Sequence, residues 1–126
     1  MRPLLTVVLA MAAFMLAGCE DKNVIERSEL NEAKGALLKV AINQEQFYLE
    51  NNTFSDDLTQ LGFATDPFVT KSERYTINVA MRADGEFYMA TATHIGKDSG
   101  ARECQILELD SNGNKASYPV SYCWNW

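Results

Sequence analysis

One stretch constrains the fold more than any other: Glu26–Asn52, ERSELNEAKGALLKVAINQEQFYLENN. Leu30, Ala33, Leu37, Val40 and Phe47 recur at steps of three, four and seven, with Gln44 as the one polar interruption. That is the period of an α-helix with one face to bury. Leu38, Ile42 and Leu49 widen the stripe, and the segment reads as an amphipathic helix of about 25 residues. Ser28 is placed to cap its start, with Glu29 and Glu32 in the first turn, where the helix dipole favours negative charge. Asn51-Asn52 suits its end, because Asn tolerates left-handed geometry. Gly35 is an interior weakness of about 1 kcal/mol, marking either close packing or a loosely held first half.

The rest of the chain must supply the surface that such a helix lies on. TFSDDLTQLGFATDPFVTKSE, residues 53–73, keeps neither the helical nor the strand period. It reads as a connecting loop with a helical turn over Ser55–Leu61, capped by Ser55, and a turn at Asp66-Pro67. Then the pattern changes. In RYTINVAMRADGEFYMATATHI, two β-prone runs flank Asp84-Gly85, a hairpin signal. Tyr75, Ile77, Val79 and Met81 alternate in the first run, and Phe87, Met89 and Thr91 in the second. CQILELD, Cys104–Asp110, is a third strand with Leu107 and Leu109 on one face. Asn112-Gly113 turns the chain into a short edge-like strand ending near Pro119. The expected class is α+β: one long N-terminal amphipathic helix packed on a three- to four-stranded antiparallel sheet.

At 126 residues the chain has room for one domain. Its formal charge is −6, which repels phosphate and argues against nucleic acid and against an electrostatic grip on anionic lipid. At the N-terminus, Arg2 precedes a thirteen-residue run, Leu4–Leu16, in which only Thr6 is polar. That is short of the roughly 20 residues a membrane span needs, and fits the core of an export signal. The following Leu16-Ala17-Gly18-Cys19 resembles the lipobox of bacterial lipoproteins. The resemblance implies cleavage before Cys19 and a diacylglycerol on its sulfur. The expected organisation is a signal peptide at 1–18, a tether at 19–28 and a domain at 29–126. A domain so anchored faces the periplasm, from the inner or the outer membrane, where disulfides persist. Of three cysteines, Cys104 and Cys123 then remain, with one possible pairing.

The order of parts resembles the globular domain of type IV pilins, especially minor pilins. LLKVAINQEQFYLENNTFSDDLTQLGF is similar to that family's helix end and loop, YTINVA and GEFYMATAT to its first sheet strands, and CQILELDSNGNK with Cys123-Trp124 to its third strand, hairpin and C-terminal disulfide loop. The likeness covers most of Glu29–Trp124. It departs at the start: a pilin begins with a peptidase site after Gly and a Phe-Thr-Leu-Ile-Glu-like apolar helix, and neither stands here. The resemblance therefore implies a pilin-like head on a lipid, working as an accessory or partner in a type IV pilus or related secretion system.

Enzyme chemistry has little to stand on. His94 is the one histidine, at a strand end where a surface position is expected, and no serine sits in a nucleophile elbow. No cofactor is implied, and no second histidine supports zinc. Asp110, Asn112 and Asn114 match the first positions of a calcium loop, but Lys115 and Ser121 stand where Gly and a bidentate acid belong. An Asn-Gly hairpin explains the same residues. Tyr122, Trp124 and Trp126 form an aromatic C-terminus of the kind that anchors interfaces, with Tyr122 and Trp124 expected to pack around the bridge. Two classes remain. One is an interaction protein using strand and helix-face contacts. The alternative is a small-ligand or calcium-binding envelope lipoprotein with a pocket between DPFVTKSER and the Asp110 loop.

Overall fold

The computed structural model describes residues 22–125. Helix α1 spans Lys22–Asn51, so the segment expected as tether is helical from Lys22, and Ser28 lies inside the helix instead of capping it. The end is as expected: Asn52 is left-handed (φ 58°) and its N–H reaches Tyr48 O at 2.8 Å. Five strands follow: β1 (Phe68–Val69), β2 (Tyr75–Arg82), β3 (Phe87–His94), β4 (Cys104–Asp110) and β5 (Lys115–Pro119). They form one antiparallel meander in chain order. The sheet exceeds expectation because β1, only two residues long, pairs Phe68 with Ile77 out of what reads as loop.

Helix α1 crosses β2, β3 and β4. Its buried face is Leu30, Ala33, Leu37, Val40 and Gln44, set against Tyr75, Ile77, Tyr88, Ala90, Ala92, Leu107 and Leu109. Register fixes the β3 face: Ile77 lies opposite Ala92 and Val79 opposite Ala90, so Tyr88, Ala90, Ala92 and His94 point inward. The alternating set Phe87, Met89 and Thr91 lies on the other side, only half-buried. Small alanines at the centre let the helix approach the sheet. Gln44, the polar interruption, is fully buried and satisfied: its Nε2 donates to Ser55 O (2.6 Å) and its Oε1 accepts from Ser55 N–H (2.9 Å). One side chain thus pairs both backbone groups of a buried loop residue, which water would otherwise have to satisfy.

After α1 the chain makes a 3-10 turn over Leu58–Leu61, with both leucines buried. Asp57 is its cap, accepting from Thr59 N–H at 2.9 Å. Ser55 was the expected cap, but its Oγ accepts from Asp57 N–H one step earlier (3.0 Å). Gly62 ends the turn at φ 84°. Among the described residues no helix is long and apolar enough to cross a membrane.

Candidate protein-contact faces

Leu38, Ile42 and Leu49 do not widen the buried stripe. They are 44%, 70% and 79% exposed, and their spacing of four and seven places them on one line along the outer face of α1. Gly35 shares that face, with open space where a Cβ would stand. It therefore marks no close approach within the domain. The outcome is a second, outward apolar stripe on the helix whose inner stripe builds the core.

At the C-terminus Cys104 and Cys123 form the expected disulfide, with Cα atoms 5.8 Å apart. Closing a loop of this length stabilises by about 3 kcal/mol in the chain-entropy model. Trp124 is half-buried: its Nε1 donates to Ala116 O (2.9 Å), and Lys115 Nζ lies 5.1 Å from its ring. Tyr122 is exposed instead of packed, and its hydroxyl donates to Glu103 Oε2 at 2.7 Å. That hydrogen bond raises its pKa. Tyr118 is exposed as well. Trp126 and Cys19 lie outside the described residues.

His94 is buried, against the surface position expected for a strand end. Its Nδ1 is 3.1 Å from Ser99 Oγ, and that hydroxyl donates to Gly96 O at 2.8 Å. Ser99 must then accept from Nδ1–H, which leaves Nε2 as a bare acceptor. Nε2 has no hydrogen-bond partner. Beside it is a cavity of about 20 Å³, the space of one water, lined by Glu26, Glu29, Tyr75, Arg102 and Cys104 among others. Arg102 occupies the centre of this group, 2.7 Å from Glu26, 3.5 Å from Glu29 and 2.9 Å from Asp98. The carboxylates are thus already committed to a guanidinium. Burial, with Arg102 adding to it, lowers the His94 pKa.

The Asp110 carboxylate is also committed. Oδ1 accepts from the N–H of Asn112 and of Asn114 (2.9 Å each), and Oδ2 from Asn114 Nδ2 (3.1 Å). With Gly113 at φ 80°, these bonds tie the β4–β5 hairpin, and the residues do the work of a turn. Among the described residues no group of three or more His, Cys, Asp or Glu is arranged to hold a metal ion. The pocket sought between DPFVTKSER and the Asp110 loop is not assembled. Arg74 adjoins the Tyr75–His94 end of the sheet, whereas Asp110 pairs with Met89 at the opposite end.

A single long helix laid across an antiparallel meander, closed by a C-terminal disulfide, is the architecture of a pilin head. A type IV pilin from Shewanella oneidensis has this fold, with a TM-score of 0.57 at 19% identity over 78% of this chain and 96% of that one. The family model for "Type IV minor pilin ComP, DNA uptake sequence receptor" matches residues 22–108. The chain belongs to this minor pilin family, and with it to the pilus-associated proteins of the bacterial envelope. No curated protein matches the chain.

Proposed function

We propose that this chain is a lipid-anchored accessory protein of a type IV pilus or related secretion machine, with a pilin-like head that acts by contact and without catalysis. The outer stripe of α1 carries the reading. Leu38, Ile42 and Leu49 contribute nothing to the domain's own core and expose apolar surface along one line, the form of a helix face that meets a partner. The Leu16-Ala17-Gly18-Cys19 sequence supports the anchor, since it stands where a pilin would carry its assembly helix. The exposed Tyr118 and Tyr122 offer a second, smaller contact at the disulfide loop.

The family's description raises DNA as a second reading. A charge of −6 opposes a polyanion. Arg102 is spent on Glu26, Glu29 and Asp98, and Lys39 on Gly62 O and the Phe63 ring. Two measurements separate the readings. A photoreactive residue at position 42, in cells, should form adducts with a pilus subunit, and Leu38→Asp should remove them while the melting temperature holds. A labelled duplex at low salt should show no anisotropy change with the purified protein. Binding to the duplex with a steep salt slope, and no adducts, would replace the proposal with the DNA reading.

A further inference from the structure

We infer that the first turn of α1 sits in the membrane interface end-on, holding the helix upright with its outer stripe facing sideways above the bilayer. The inference rests on the reading of Cys19 as the lipidated residue. Only Glu20 and Asp21 separate Cys19 from Lys22, where α1 begins. Three Cα steps reach about 11 Å when fully taut, and the interfacial layer of one leaflet is about 5–7 Å deep. Where those three steps span about 7 Å or less, the first helical turn begins in that layer.

What the turn carries fits the place. Val24 and Ile25 are 62% and 54% exposed. The helix is buried against the domain from Glu29 onward, with Glu26 reaching across to Arg102. The start of the helix therefore overhangs the domain, and two apolar side chains stand more than half exposed among the described residues. An unsupported helical end is marginal in water, and apolar side chains a few residues from an acyl anchor lower that cost by entering the interface. Val24 and Ile25 are consecutive and point about 100° apart around the helix. Such a pair suits an environment that surrounds the helix end, not one that touches a single side. The acidic balance gives no electrostatic attraction to anionic lipid, so the contact is apolar and indifferent to salt.

The orientation has a consequence for the partner face. Leu38 lies fourteen residues beyond Val24, about 21 Å further along the axis, and Leu49 about 37 Å. The outer stripe therefore clears the headgroups and is free for protein. The distal end of the molecule presents the Asp84-Gly85 and Asn112-Gly113 turns.

The test uses the full-length protein, purified from membranes and reconstituted in phosphatidylcholine vesicles with and without a dibrominated acyl chain. Ile25→Trp and Ile42→Trp are compared with the parent protein, so that the added emission is read by difference. The expected result is a blue-shifted emission at position 25 that brominated lipid quenches, and an unshifted, unquenched emission at position 42, both unchanged in high salt. Equal quenching at both positions would overturn the upright arrangement in favour of a helix lying flat. No quenching at position 25 would overturn the seat. Intact mass of the same sample separates the two premises: an acyl adduct with no quenching sinks the seat alone, whereas an unacylated chain sinks the anchor and the seat together.

Discussion

Beyond the buried apolar stripe they share, the two halves of α1 are held to the sheet by different physics. The N-terminal half adds charge to its buried Leu30 and Ala33. Arg102 gathers Glu26, Glu29 and Asp98, Arg74 stands 3.7 Å from Glu29, and a Glu32 oxygen accepts from Ser72 N–H at 3.0 Å. The C-terminal half is held by rings and one amide. Tyr48 and Phe54 pack with centroids 4.7 Å apart, Phe54 meets Tyr88 edge-on at 4.8 Å, and Gln44 pins Ser55. Partly exposed ion pairs are weak and screened by salt, while buried rings keep their contribution under the same conditions. The end nearest the proposed anchor is thus the one that loosens first, and the distal end sets the stability of the head.

Truncation at the distal end is the severest way to break that contrast. Phe54→Ala removes the ring shared by Tyr48 and Tyr88 from the core cluster and should cost about 3 kcal/mol or more. Denaturant melts would read it as a lower midpoint, nearly the same in low and high salt. A loss under about 1 kcal/mol would mean that the rings are not what holds this end.

At the other end, Arg102→Met keeps the aliphatic stem and removes the charge. Glu29 retains Arg74 at 3.7 Å, so the loss should be about 1–2 kcal/mol, between a surface pair and a fully buried one. The difference from the parent should shrink as salt rises. A loss as large and as salt-independent as that of Phe54→Ala would erase the distinction between the two ends. Amide exchange across Glu26–Leu30 should quicken in this variant, while exchange near Gln44 stays as it was.

What the sequence made legible follows the same division. The inner helix stripe, β2, β4, both Gly-containing turns and the Asn52 terminus could be read because each has a local signal: a period, a turn residue or a tolerated left-handed φ. The faces could not. Leu38, Ile42 and Leu49 carry the same letters as core residues, and only the helix's placement on the sheet separates inner from outer. In β3 both parities hold an aromatic, Phe87 or Tyr88, so the buried side is decided by the pairing of Ile77 with Ala92, a fact about register. Two-residue β1 is too short for any period. His94 was unreadable for a related reason: a strand-end position says nothing about a loop, here residues 96–102, folding over it. The charge cluster could be assembled only in three dimensions, since Glu26, Arg74, Asp98 and Arg102 come from three separate segments.

The smallest effect expected is also the most specific to one end. Burial, then Arg102, lowers the His94 pKa below its ordinary 6.5. Asp98 and Glu29 pull the other way, and Arg74 adds to the lowering. The folded domain therefore binds fewer protons at this group than the unfolded chain does. Its contribution is complete above about pH 6.5, the unfolded value, and is lost as pH falls from there through the folded-state pKa. Because His94 is the one histidine in the chain, its imidazole protons report that pKa directly by NMR, and His94→Gln should flatten the melting temperature between pH 5 and about 6.5. On the alkaline side the two ends behave alike. Burial pushes both Tyr75, beside His94, and Tyr88, beside Phe54, up to about 12. Each contributes stability that is present below pH 10 and lost as pH rises from about 10 toward 12. Mild acid should thus lower amide protection, corrected for the intrinsic pH dependence of exchange, at the charge-held end alone, and strong base at both. An imidazole titrating at or above 6.5, or an acid-induced loss of protection as large at Gln44 as at Leu30, would show that the helix is held as one unit along its length.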